Sequence, residues 1–310
     1  MHQTLYLSHP SYLDHATPTG HPERPDRLRA IDRVLEEECF MALDRDTAPW
    51  GTLEQIALAH PTRYATAIRD ACPDEGLVRI DADTTVSPGT WEAALRAVGA
   101  ACQAVDEVMT RKVKNAFSAS RPPGHHAEYA TSMGFCFFNN AVIAARHAQK
   151  HHGAERVAIV DFDVHHGNGT QDIVWNDPTI MYASAHQAPL FPGTGAKTET
   201  GEHDTVVNAP LASGDGRAEF ASAFGEVLLP KLEAFGPDLV VISAGFDMHT
   251  RDPLANIHLD ETDFAWITEQ LMGLAERKAG SRVVSLLEGG YDLHGLSRSV
   301  AAHVRTLMQA

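Results

Sequence analysis

The 310-residue chain is short of cysteine, of positive charge and of long apolar runs. Its four cysteines, Cys39, Cys72, Cys102 and Cys136, stand far apart with no Cys-x-x-Cys pair. That spacing excludes a disulfide framework and a thiolate zinc site, and predicts reduced, mostly buried thiols in a cytoplasmic protein. Lys and Arg number 25 against 41 Asp and Glu, a net charge of −16 with neutral histidines. Such an excess repels phosphate backbones, so nucleic acid is not an expected partner, whereas a cationic substrate is favoured. The opening "MHQTLYLSHPSYLDH" has no basic lead into an apolar segment. Nowhere does an apolar run approach the roughly 18 residues of a membrane span, so neither secretion nor a membrane partner is expected. No internal repeat or low-complexity tract is visible, and "GTGAKTETG" (193–201) lacks the Gly-Lys-Ser/Thr ending of a phosphate loop. No nucleotide cofactor is implied.

What is present fits one ordered unit, residues 1–310, since 44% of residues are apolar, 21% are charged and no composition break marks a linker. β-type runs occur at "TLYLSH" (4–9), "NAFSAS" (115–120), "RVAIVDFD" (156–163), "TIMYASAH" (179–186), "DLVVISAGFD" (238–247) and "RVVSLLEGGY" (282–291). Helix-period stretches lie between them, among them 89–110, 140–153, 219–236 and 261–280. Continuous β-branched strands alternating with helices predict βαβ units and an α/β fold, its mainly parallel central sheet buried on both faces.

In such a sheet ligands bind beyond the carboxyl ends of the strands. Several runs end in groups that bind metal or move protons: Asp161, Asp163 and His165 on one, His186 on another, Asp247 on a third and Tyr291 after a fourth. Any one of these, taken singly, reads as a hydrogen-bonded polar group at a strand end. A buried carboxylate costs several kcal/mol unless paired or metal-bound, so their convergence points to a site. Asp163 and His165, two apart, face the same side of an extended segment. With Asp247 they make an Asp, His, Asp set that leaves a coordination position for water, as in a catalytic zinc site; the same donors also accept iron(II).

The segment "SRPPGHHAEYATSMGFCFFNNAVIAA" (120–145) adds a rigid Pro-Pro-Gly loop that presents His125 and His126. Neutral imidazoles beside a metal-bound water suit general acid and base work, with Asp161 and Asn168 as orienting partners. A second tandem pair, "KHHG" (150–153), reads as surface residues.

"RPPGHHA", "GFCFFNN", "DFDVHHGNGTQ", "FPGTG", "AGFDMHTRDPLA" and "LEGGYDL" resemble, in order and spacing, the histone deacetylase family, its class II branch more than class I. The likeness runs from about residue 21 to Leu293 and implies a single-domain, three-layer arginase/deacetylase-like fold. It implies zinc on Asp163, His165 and Asp247, His126 as general base, and His125 as electrostatic and acid support. Tyr291 is implied as donor to the acetyl carbonyl. Gly134, Phe135 and Phe191 match tunnel walls, Asp83 the rim aspartate that grips substrate backbone, and Arg27 an arginine lining the acetate exit. Potassium is implied beside the zinc, at Asp161, Asp163, His165 and Ser184.

Asn168 stands where class I enzymes have an aspartate, which predicts a more neutral imidazole beside it. Leu254 stands where polyamine deacetylases of the family can carry a glutamate, which weakens but does not remove the acetylpolyamine reading. An arginase-like two-metal site needs further aspartates, and the relevant places hold Gly167 and His249. A non-catalytic acyl-lysine binding module would lack a ligand, base or tyrosine, and none is missing. The implied partner is therefore an acetylated lysine peptide or protein, or an acetylated polyamine. The oligomeric state stays open, a homo-oligomer included. "HPERPDRL" (21–28) reads as a structural loop with internal ion pairs, and Trp91 as core.

Overall fold

Buried strands form where the sequence runs VAIVD, IMYASAHQ, LVVISA and VVSLL, and every residue in these four stretches is buried. In the computed structural model, which describes residues 2–309, ten strands occur in chain order. They are β1 (His2–Ser8), β2 (Asp44–Thr47), β3 (Val78–Arg79), β4 (Thr85–Val86), β5 (Val113–Ser118), β6 (Val157–Asp161), β7 (Ile180–Gln187), β8 (Val206–Leu211), β9 (Leu239–Ala244) and β10 (Val283–Leu287). Eight form one sheet in the order β2-β1-β5-β10-β9-β6-β7-β8, with every neighbouring pair parallel. β3 and β4 make a separate antiparallel pair.

Parallel neighbours all end at the same edge, and this decides where the chemistry lies. β5, β10, β9 and β6 are adjacent at the middle of the sheet, and they lead respectively to the His125–His126 loop, Tyr291, Asp247 and Asp163. Helices cover both faces, as two-sided burial requires. Helices Thr90–Met109 and Asn140–His152 pack together on one side. On the other, helices Asp26–Leu35, Glu261–Lys278 and Leu293–Met308 form a second layer. His303 joins that layer to the sheet, Nδ1 meeting Thr268 and Nε2 meeting Ser285 of β10. None of the helices among the described residues is long and apolar enough to cross a membrane.

All six strands expected from sequence are present. β2, β8 and the two-residue strands β3 and β4 were not foreseen, for physical reasons: β2 is the exposed polar run DRDT, β8 carries Pro210, which an edge strand tolerates and a central one does not, and two residues are too few to show a period. The stretch 219–236 is not one helix. A π-helical turn, Ala223–Leu228, separates Arg217–Ser222 from Leu229–Phe235, and Pro230, with no N–H to donate, sits in the first turn of the latter. Trp91 lies partly buried against Phe138, ring centroids 6.1 Å apart. Of the thiols, Cys102 and Cys136 are buried, Cys72 is intermediate and Cys39 is exposed, all four free.

"HPERPDRL" does form ion pairs, but its main partner comes from far along the chain. Glu23 accepts from Arg121 Nε at 2.5 Å and Nη2 at 2.7 Å, and from Arg27 Nη1 at 3.1 Å, all three side chains being fully buried. Arg27 continues to the carbonyls of Gly290 (2.7 Å) and Glu288 (2.5 Å). The network thus fixes the root of the loop bearing His125 and His126 to the segment bearing Tyr291. Burial opposes ionisation of Glu23, yet the Arg121 charge and hydrogen bonds, then Arg27, hold its pKa at about 2.

Glu23→Gln would leave two guanidiniums short of a counter-charge, and should cost about 3–5 kcal/mol in urea unfolding; a loss below about 1 kcal/mol would show that those charges rehydrate freely. Because the folded pKa lies below the unfolded value near 4.5, the Glu23 contribution is complete above that value and disappears as pH falls towards about 2.

Candidate metal and catalytic centre

The three expected ligands lie beyond their strands. β6 ends at Asp161 and β9 at Ala244, so Asp163, His165 and Asp247 occupy loops. Asp163 and His165 therefore do not meet through the alternation of an extended strand. A tight turn joins them instead, with Asp163 Oδ1 accepting the His165 backbone N–H at 2.9 Å. His165 Nδ1 lies 3.1 Å from Asp163 Oδ1 and 3.2 Å from Asp247 Oδ2, 82 residues away. One donor atom from each residue falls within 4.8 Å of the other two, and all three residues are buried.

The chemistry of this donor set fits a divalent cation. Burial, then the Asp163 charge, raises Asp247 to about 7, while the neighbouring imidazoles hold Asp163 well below the ordinary range. Burial opposes protonation of His165, but its hydrogen bonds to the two carboxylates and their charges raise it to about 10. The pocket therefore attracts positive charge at the point where three ligand atoms converge. Backbone donors fix the carboxylates: Gly289 N–H to Asp163 Oδ2 at 2.8 Å and Val164 N–H to Asp247 Oδ1 at 2.8 Å. A Cβ on Gly289 would strike both carboxylates, and one on Gly245 would strike Asp163, so this cradle excludes larger residues.

Beside it, His125 and His126 have ring centroids 4.0 Å apart and opposite surroundings. His125 Nδ1 faces Asp161 Oδ2 at 3.0 Å, and although burial lowers its pKa, the Asp163 and Asp161 charges bring it to about 10. His126 Nδ1 faces Asn168 Oδ1 at 2.8 Å, and burial together with the His125 and His165 charges holds it well below 6.5. An amide oxygen only accepts, so His126 donates from Nδ1 and keeps its Nε2 lone pair. Asn168 is turned this way by its own amide nitrogen, which donates to Glu128 at 2.8 Å. Asp161 is in turn held by the Tyr182 hydroxyl at 3.0 Å and the Asp163 N–H at 3.0 Å.

The expected rim residues surround this centre. Phe191 is 41% exposed, with its ring 5.1 Å from that of His126, so the buried imidazole lies directly beneath an aromatic open to solvent. Gly134, at φ +56°, packs so closely on the His126 ring that a Cβ there would collide with it. Phe135 meets Tyr291 edge-on at 6.0 Å, and the Arg27 guanidinium stands over the Tyr291 ring, 5.0 Å from its centroid. Asp83 Oδ1 accepts from Gly134 N–H at 3.2 Å, so it shapes the rim itself. Leu254 is half-buried on a turn closed by Asp252, whose other oxygen accepts the Tyr291 N–H at 2.7 Å. Ser184 is buried next to Asp161 across the β6–β7 pair, and its hydroxyl meets His186 Nδ1 at 2.9 Å.

Sequence reading missed the supports. Glu288 is a buried carboxylate that burial raises to about 7, and it accepts the N–H groups of Gly124 and His125 and the Ser243 hydroxyl. The acidic residue in "LEGGY" was its only signal. Tyr182 and Glu128 hold the side chains of Asp161 and Asn168, and Asp252 holds the backbone N–H groups of Leu254 and Tyr291; no local pattern marks the three.

A family model described as "Histone deacetylase domain" matches residues 21–307. Histone deacetylase 14, chloroplastic, of Arabidopsis thaliana is 38% identical over 309 residues, 93% of this chain and 73% of that protein. A histone deacetylase-like amidohydrolase of Pseudomonas aeruginosa is 38% identical over 278 residues, 88% of this chain and 73% of its own. Among solved structures, that of the HDA15 HD domain superimposes with a TM-score of 0.94 at 35% identity, covering 99% of this chain and 88% of that one.

Gly289→Ala should fold, as judged by circular dichroism, but lose divalent-metal affinity by about 10- to 100-fold, because the groups orienting both carboxylates are displaced. Unchanged metal retention against a graded chelator would show that the cradle does not set the ligand geometry.

Proposed function

The chain belongs to the histone deacetylase family and is a hydrolase that deacetylates amides; we propose that its substrate is an acetylated lysine side chain of a peptide or protein. The observation that carries this reading is the pair of imidazoles of opposite character, His125 and His126, set against the Asp163, His165 and Asp247 donors. We assign zinc to those donors, with iron(II) as the alternative they also accept. The chemistry zinc supplies at such a site is Lewis acidity towards the amide carbonyl and towards water.

The chain's own residues do the rest. His126 Nε2, unprotonated because Nδ1 is committed to Asn168, takes the proton of the attacking water. His125, kept charged by Asp161, stabilises the developing negative charge and is the proton source for the departing amine. Tyr291 donates its hydroxyl to the former carbonyl oxygen. Burial, then the nearby carboxylates against Arg27, pushes that phenol well above its usual range, so it stays a donor at neutral pH. Phe135, Phe191 and Gly134 form apolar walls for the lysine methylenes, and Arg27 lies on the exit side for acetate. Asp83, already bound to the rim, is assigned to the substrate backbone. Potassium is assigned to Asp161 and Ser184, with Asp163 and His165 beside it. Cytoplasmic location is in keeping with four free thiols.

Leu254 favours the lysine substrate over acetylpolyamines because an apolar side chain offers a cationic chain no partner. Comparing kcat/KM for an acetyl-lysine peptide, N8-acetylspermidine and acetylputrescine tests this, the peptide being expected to lead; faster polyamine turnover would reassign the enzyme to small acylated amines. Tyr291→Phe should cut kcat by about 10²-fold or more with metal content unchanged. Full activity in that variant would remove the hydroxyl from the reaction. Asn168→Asp places a carboxylate at His126 Nδ1, which stabilises the imidazolium and raises its pKa. The acidic limb of kcat/KM should then move to higher pH; an unmoved limb would show that His126 is not the base.

A further inference from the structure

One of the tandem histidines set aside on sequence as surface residues, His152, meets a carboxylate of the neighbouring helix together with His147. His147 and His152 lie in the last turns of helix Asn140–His152, and Asp106 near the end of helix Thr90–Met109. His147 Nε2 stands 2.8 Å from Asp106 Oδ1, and His152 Nε2 stands 2.6 Å from the same oxygen. The three donor atoms lie within 4.8 Å of one another, and apart from Asp163, His165 and Asp247 no other such group occurs among the described residues. We propose that Asp106, His147 and His152 form a second divalent-metal site, of zinc type, that clips these two helices together at the edge of the sheet opposite the catalytic centre.

Two imidazoles and one carboxylate oxygen suit zinc and its neighbours, whereas calcium and magnesium call for oxygen donors throughout. Without a cation, the proton on His147 Nε2 is held by Asp106 Oδ1, and a metal would take that proton's place between the two atoms. The Nδ1 of His147 is buried without a partner, so moving the proton there breaks no Nδ1 hydrogen bond and frees the Nε2 lone pair for a cation. His152 sits in the last turn of its helix, where the aligned peptide dipoles favour positive charge. Access is open: the Asp106 side chain is 48% exposed and that of His152 17%, so an ion can enter and keep water in its remaining position.

The site is remote from the reaction by construction. Helix Asn140–His152 begins just after the loop of Gly134 and Phe135 and runs about 18 Å along its axis to His152, ending just ahead of β6 at the amino edge of the sheet. A metal here braces the helix that carries the substrate rim without touching the reacting atoms.

The test is the zinc content of protein equilibrated with buffered zinc and freed of excess. Wild type should hold two equivalents and His152→Ala one, and added zinc should raise the unfolding temperature of wild type more than that of the variant. The variant should keep its kcat. Should His152→Ala fold poorly, Asp106→Asn gives the same comparison at a half-exposed position. Asp247→Ala should lose a different equivalent, so failure of the catalytic assignment and of this one are told apart. His151→Ala should retain both, since only the His147 and His152 rings face Asp106. Equal zinc content in wild type, His152→Ala and Asp106→Asn, or loss of an equivalent in His151→Ala, would overturn the assignment.

Discussion

Two carboxylates, Asp163 and Asp247, face one imidazole nitrogen inside a buried pocket, and the surrounding architecture exists to make that concentration of charge tolerable. Charges out of water are costly unless each oxygen has a partner, so backbone N–H groups of Val164, His165 and Gly289 are turned inward to meet them. Glycine at 245 and 289 follows from the same demand, since any side chain would occupy the space the carboxylates need. The parallel sheet supplies the means: four adjacent strands end at one edge, where chain that is no longer committed to a ladder can offer its N–H groups to side chains.

The same field separates the two neighbouring imidazoles. Both rings are buried, which lowers both, but the Asp163 and Asp161 charges bring His125 up to about 10, whereas His126, beside the His125 and His165 charges and with only an amide as partner, stays well below 6.5. One charged and one neutral ring side by side are what an acid and a base at a common centre require. Around them a second ring of buried charge, Glu23 with Arg121 and Arg27, holds the loops in position without entering the chemistry. Its geometry ties residues near 23, 121 and 290, so the centre is rigid because three distant segments share one network.

The legible part of the site was the part with dense local spacing. Asp161, Asp163 and His165 fall within five residues, and His125 and His126 are adjacent, so their types and order were visible and the resemblance could be read residue by residue. Strands that are buried on both faces announced themselves through continuous apolar runs. β2 and β8 did not, because an edge strand is not obliged to be apolar and DRDT carries no such signal. Glu288, Asp252 and Glu128 gave little or no signal, since their hydrogen bonds run mainly to residues brought near by folding.

By itself the sequence determined which donors exist and that they stand after strands of a parallel sheet. Tertiary structure alone decided that His165 turns back onto Asp163 in a loop, that Asp247 arrives from 82 residues away, and which imidazole carries the charge. It also decided that His147 and His152 face Asp106 rather than solvent alone. The reason is common to all of these: side-chain identity is local, whereas distance, burial and electrostatic partner are properties of segments that meet only when the sheet and its helices have closed.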